Sequence, residues 1–230
     1  MISIVLPVYN QEDHIGHLVR EYETALERLS QPFELILVVN GCRDRSLEVC
    51  KELARSYSNV HVLESARGGW GIAVKDGLAS ARGDLLCYTN SARTSSADLL
   101  LILLYAVAYP NVVVKANRKI RERWQRRLGS LVYNLECRSL FNLSNWDING
   151  TPKVFPRHFE KLLALTRDDD LIDLEFIDVC RRYGYPVIEV PIFSSRRHGG
   201  VSTTSYRSAL RMYWGAYTYR RSRSGRRATA

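Results

Sequence analysis

The sequence is short of several things, and each shortage removes a class of protein. Its five cysteines (Cys42, Cys50, Cys87, Cys137, Cys180) are odd in number and widely spaced, with no Cys-x-x-Cys pair. A disulfide framework and a cysteine zinc site are therefore not expected, and a reducing cytoplasm is. His14, His17, His61 and His158 have no ligand spacing among themselves, which argues against a histidine zinc site. The longest apolar run, Leu99 to Tyr109, is about half of the ~20 residues that a membrane-spanning helix needs, so it reads as a core helix. The first residues enter a strand without a charged n-region or a cleavage site, so no signal peptide is expected. There is no internal repeat and no linker that divides two domains. Acidic residues are also in deficit, 24 against 33 Lys plus Arg, giving a net charge of +9. That balance suits anionic partners: nucleotide phosphates, lipid headgroups or nucleic acid. Nucleic acid is unlikely on sequence grounds because aromatic-basic strand motifs are lacking.

What is present is a regular alternation. Ile2 to Leu6 reads as a strand ending in the turn Pro7-Val8-Tyr9-Asn10, and Ile15, Leu18, Val19, Tyr22, Leu26 and Leu29 place a helix over residues 11–29. Strands follow at Glu34 to Val39 and Val60 to Leu63, separated by a helix that runs to about Tyr57. Gly68-Gly69-Trp70-Gly71 opens a small-residue helix from Ile72 to Arg82. Leu85 to Tyr88, with Gly83-Asp84 before it and Asn90-Ser91-Ala92 after, has the unbroken apolar character of a strand buried on both faces. A helix over 96–108 and a strand at Val112 to Ala116 complete a pattern that predicts a doubly wound, mostly parallel α/β sheet. Ligands to such sheets bind where the central strands end, which directs attention to Asn90 and its neighbours.

The second half changes character. Residues 118–142 are arginine-rich, and Trp124, Leu128, Leu131, Leu135 and Leu140 form the apolar face of a predicted long helix. A polar loop, Asp147 to Lys153, leads into a short strand; Asp173 to Tyr183 reads as helix and Pro186 to Ile192 as strand. Arg196, Arg197 and His198 lie in a basic Gly-Gly loop. A last helix, 205–221, carries seven aromatic or long apolar side chains and is followed by a basic tail. Aromatics beside arginines suit an anionic membrane interface, and they equally suit a helix packed on the domain with a disordered tail. The expected division is a domain over 1–204 with a helix and tail over 205–230.

In this order and spacing, the motifs resemble the family 2 glycosyltransferases of GT-A fold, especially the polyprenyl-phosphate sugar transferases similar to dolichol-phosphate mannosyltransferase. Ser3 to Glu12 is similar to the family's nucleotide-binding strand and turn, and Asn40 to Asp44 occupies its Asp-Asp-Gly-Ser-x-Asp turn, with Val39 in place of the first acid. Gly69-Trp70-Gly71 with Lys75 resembles the Gly-Lys-Gly helix opening, and Arg197 to Ser202 its late Arg-x-Gly-Gly-x-Ser loop. The resemblance implies that Pro7, Tyr9, Asn10, Glu12, Asn40, Asp44, Trp70, Lys75 and Asn90 face a nucleoside-diphosphate sugar. It implies Arg93, Lys153, Arg196, Arg197 and His198 for phosphate or acceptor. Asp147 and Asp173 compete for the role of base, with Glu175 beside them.

The departure from the family lies at Asn90-Ser91-Ala92, where its Asp-x-Asp should stand. That motif normally holds Mg²⁺ or Mn²⁺, because hard cations want anionic oxygens. Its usual ligands are absent, so no metal-ligating residue is assigned. Asp168-Asp169-Asp170 reads as a solvated helix-start loop rather than a substitute. The implied activity is inverting transfer of a sugar to a polyprenyl phosphate or another acceptor, with cations in place of the metal. The alternative is an inactive glycosyltransferase-like module that binds a nucleotide or a partner.

Overall fold

The structure, a computed structural model, describes residues 1–119, 124–193 and 206–227. Seven strands form one sheet in the order β3-β2-β1-β4-β6-β5-β7. They are β1 (Ile2–Val8), β2 (Phe33–Asn40), β3 (Val60–Ser65), β4 (Leu85–Tyr88), β5 (Val113–Arg118), β6 (Lys153–Pro156) and β7 (Val187–Ile192). The strand from Leu85 to Tyr88 is the middle one. All neighbours are parallel except β6, which runs antiparallel between β4 and β5. The sheet is thus mixed, and Lys153 at the start of β6 comes level with Tyr88 at the end of β4 and with Lys115 of β5.

The period-2 alternation of strands distributes side chains to two apolar layers. On one face, Ile4, Leu6, Leu35, Leu37, Cys87 and Val114 pack under helices α1 (Ile15–Leu26), α2 (Ser46–Ser56) and α4 (Ser96–Ala108). On the other, Val5, Val38, Leu86, Tyr88 and Phe155 pack under α3 (Trp70–Ser80), α5 (Trp124–Phe141), α6 (Ile172–Tyr183) and α7 (Tyr206–Arg227). α3 lies directly on the strands because residue 77 is glycine: a Cβ there would collide with Val5 and crowd Val38. Ser95 caps α4, its hydroxyl accepting the Asp98 N–H at 3.1 Å.

Four expectations need correcting. Pro7 and Val8 continue β1 instead of forming the turn. The helix expected from 118 is described from Trp124, and residues 118 and below belong to β5. Its buried face is also different: Tyr133, Asn134, Cys137 and Phe141 point inward, whereas Leu128, Leu131 and Leu135 are about half exposed. The reason is that sequence periodicity finds an apolar stripe but does not choose between two stripes on one helix. α7 continues to Arg227, through the expected basic tail. No helix among the described residues is long and apolar enough to cross a membrane.

Candidate active site

The C-terminal end of β4, the start of β6, the start of α3 and the first turn of α6 converge on Asp173. Asp173 is 4% exposed, and its carboxylate touches three other elements. The Tyr88 hydroxyl donates to Oδ1 at 2.9 Å, the Lys153 ammonium pairs with the same oxygen, and the Trp70 indole N–H donates to Oδ2 at 3.2 Å. The N-terminal turn of α6 favours negative charge at this place. Lys153 is fully buried, and desolvation pushes its pKa down to about 8 against the opposing pull of Asp173. Burial, reinforced by the Asp173 charge, raises the Tyr88 phenol well above its ordinary range, so it remains a donor.

Two further ion pairs adjoin it. Lys115 binds Glu189 at 2.8 Å and the Trp146 carbonyl at 2.7 Å. Arg118 meets Asp147 with both arms of its fork at 2.8 Å, and its own backbone N–H reaches the same carboxylate. Burial disfavours the Arg118 charge, but Asp147 outweighs it and holds the guanidinium protonated. Three cations thus face three carboxylates. Asp147 is thereby committed to Arg118, while Asp173 keeps acceptor capacity on Oδ2.

The loops after β1 and β2 lock each other. Asn10 accepts from Arg43 N–H and Glu12 from Arg45 N–H, each at 2.8 Å, while Asp44 accepts from Glu12 N–H at 3.1 Å. Asn10, Glu12 and Asp44 therefore hold these two loops together through backbone contacts. Pro7 contributes its carbonyl, which accepts from Ser91 at 2.8 Å, and Tyr9 is 41% exposed. Asn40 donates to the Gly69 carbonyl at 2.8 Å and leaves its Oδ1 buried without a partner among the described residues. Asn149 Oδ1, in the loop before β6, is in the same condition among the described residues. An unpaired buried acceptor is costly, and a ligand donor would satisfy it.

The remaining expected residues separate. Glu175 is drawn away from Asp173: it accepts from the Thr166 N–H and hydroxyl and from Arg167 N–H, fixing the segment before α6. Lys75 is tied to Asp168 and the Thr166 carbonyl on the same segment, so it is not gathered with Lys153. Arg93 is half-buried just beyond Asn90, its N–H donating to the Asn90 carbonyl. Arg196, Arg197 and His198 lie outside the described residues. Residues 90–92 do not fit a divalent cation: Asn90 Oδ1 accepts the Ala92 N–H at 3.0 Å, Ser91 is spent on Pro7 and Gln11, and Ala92 offers a buried methyl. No cluster of three or more His, Cys, Asp or Glu able to hold a metal occurs among the described residues.

Tyr88, Lys115, Arg118 and Glu189 are not among the site residues expected from the sequence, although Glu189-Val190-Pro191 matches the family's strand motif. A usable signal existed, since a charge inside a strand buried on both faces demands a partner. Two surface hollows of about 570 and 490 Å³ lie elsewhere, beside α2–β3 and at the start of β7, and none of the expected site residues lines them.

The chain is 25% identical to the undecaprenyl-phosphate 4-deoxy-4-formamido-L-arabinose transferases of Pectobacterium atrosepticum and Pectobacterium carotovorum, over 223 residues in each case. The matched region is 94% of this chain, which spans 66% of the length of those curated relatives. Among solved structures, it is similar to glucosyl-3-phosphoglycerate synthase from Mycobacterium tuberculosis in complex with Mn²⁺, UDP-glucose and phosphoglyceric acid. The TM-score is 0.74 and the identity 18%, over 98% of this chain and 80% of the other. A second mycobacterial crystal structure gives 0.72 at 19% identity, over 96% and 74%. Those likenesses establish the GT-A fold. Residues 3–163 match the sequence profile of glycosyl transferase family 2, and the chain belongs to that family.

Proposed function

We propose that this chain moves a sugar from a nucleoside-diphosphate sugar to a polyprenyl phosphate, with inversion and without a divalent cation held by residues 90–92. The observation that carries the reading is the buried Asp173 carboxylate, fixed by Tyr88, Lys153 and Trp70 where the central strand ends. The names of the Pectobacterium relatives support a polyprenyl-phosphate acceptor.

In this mechanism an ionised oxygen of the acceptor phosphate attacks the anomeric carbon. The bond from that carbon to the diphosphate breaks, and its electron pair leaves with the nucleoside diphosphate. The acceptor arrives as an oxyanion, so no proton needs removing; Asp173 Oδ2 accepts a sugar hydroxyl and orients the ring. Asn40 Oδ1 takes a donor from the nucleotide. Arg93 with Arg196, Arg197 and His198 supplies the positive charge that the leaving diphosphate needs, as fixed donors can without reorganising.

Loss of both acids at 90 and 92 favours a second reading, a module that binds nucleotide or partner without turnover. Calorimetric titration with UDP-, GDP- and dTDP-sugars, each in Mn²⁺ and in EDTA, separates the two when followed by a transfer assay with undecaprenyl phosphate. Binding and transfer of one donor in EDTA is the expected result. Binding without transfer would select the module, and binding only with Mn²⁺ would overturn metal independence.

A further inference from the structure

α5 is apolar on two opposite sides. Its inward side carries Tyr133, Cys137 and Phe141, all buried in the core. Its outward side carries Leu128, Leu131, Val132 and Leu135, exposed by 53, 45, 48 and 49%. These four fall within one stripe at helical spacing, opposite the buried one. α7 is its neighbour: Tyr213 donates its hydroxyl to the Gly129 carbonyl at 2.6 Å, and the Tyr133 and Tyr213 rings meet edge-on. Opposite its own buried Ala216 and Tyr219, α7 presents Trp214, 70% exposed, with Tyr217 and Arg221. Trp214 and Tyr217 are in ring contact, 5.9 Å between centroids. Charge distinguishes this surface from an ordinary apolar patch. Arg211, Arg220 and Arg221 are exposed on α7, and residues 206–227 include seven arginines and no acid in sequence.

We infer that the outward faces of α5 and α7 form a docking surface for an anionic lipid bilayer, with the α5 aliphatic stripe and Trp214 entering the headgroup region. A second copy of this chain fits less well, because two such faces would bring their arginines together. Aliphatics, an indole and a phenol beside exposed guanidinium groups match the apolar and electrostatic halves of an interface in which each basic residue adds about 1 kcal/mol. The proposal goes beyond the acceptor reading by assigning the surface, and it would hold for any reaction performed near lipid.

The test uses the full chain and sucrose-loaded vesicles of phosphatidylcholine, with or without phosphatidylglycerol, and no sugar donor or acceptor. Co-sedimentation with anionic vesicles only is expected, weakening as salt rises. The double substitution L131Q/L135Q, at half-exposed positions, should lower the partition constant roughly tenfold or more with the melting temperature unchanged. Trp214 emission should shift to the blue on vesicles in the unsubstituted chain and lose that component in W214F, a readout that does not depend on the double variant folding. Equal sedimentation of the double variant, or no sedimentation with either vesicle, would overturn the proposal. So would a particle of twice the chain's mass by light scattering that L131Q/L135Q converts to a monomer. None of these outcomes bears on nucleotide-sugar binding, so failure here is distinct from failure of the proposed function.

Discussion

At the scale of single residues, the molecule is governed by how buried charges find partners. Lys153 was expected to contact phosphate or acceptor, yet its ammonium is fully enclosed and shared with Asp173. Removing one member of such a pair strands the other, so Lys153→Met should cost on the order of 3 kcal/mol in denaturant unfolding. The pH dependence follows from its folded pKa of about 8 against an ordinary 10.5. Between those values the unfolded chain binds more protons, so this group makes stability rise as pH climbs from about 8 to 10.5 and contributes no slope below. That increment should be missing from the Lys153→Met melting curves. Asp173→Asn keeps the shape but removes the charge that orients the sugar, and should reduce transfer by roughly a hundredfold in a single-turnover assay while leaving nucleotide binding within a few fold. Glu175, two residues on, should behave differently. Its bonds all serve the segment at 166–167, so Glu175→Gln should show up in the melting temperature more than in turnover.

At the scale of elements, close approach and capping decide where α3 and α4 sit. α3 delivers Trp70 to Asp173 because Gly77 lets the helix descend onto Val5 and Val38. Gly77→Val should displace that helix, costing about 1–3 kcal/mol by overpacking, and should weaken any reaction that needs Trp70 in place. A thermal melt beside a transfer assay would show both. For α4, Ser95→Ala removes the cap on Asp98 and should cost about 1 kcal/mol, with no change in nucleotide affinity. The strands and most helix positions were legible from alternation and periodicity, and β4 and α4 fall at the expected residues. The buried side of α5 was not legible, because both of its stripes are apolar and only packing against the sheet selects one.

At the scale of the whole molecule, the expected division after residue 204 meets a helix that shares the core. Ala216 and Tyr219 of α7 are buried with Phe141, whose ring stacks on Tyr219 at 5.5 Å, and Gly215 approaches Leu171 closely. Truncation after Thr204 should therefore expose apolar core and lower the melting temperature by many degrees, since losing one large buried aromatic alone costs about 3–5 kcal/mol. A truncated chain that melted like the full one would establish residues 205–230 as an appendage.

The sequence by itself determined the family, the alternation of strands and helices, the central place of Leu85 to Tyr88 and the loss of acids at 90 and 92. These depend on local pattern and on the order of motifs along the chain, which primary structure carries in full. Only the tertiary structure decided that Asp173 stands with Tyr88, Lys153 and Trp70 while Asp147 is spent on Arg118 and Glu175 on Thr166 and Arg167. It also turned the aliphatic stripe of α5 outward. Partnership among buried charges and the choice of buried face depend on residues about a hundred positions apart, such as Trp70 and Asp173, and distance in the chain carries no record of distance in space.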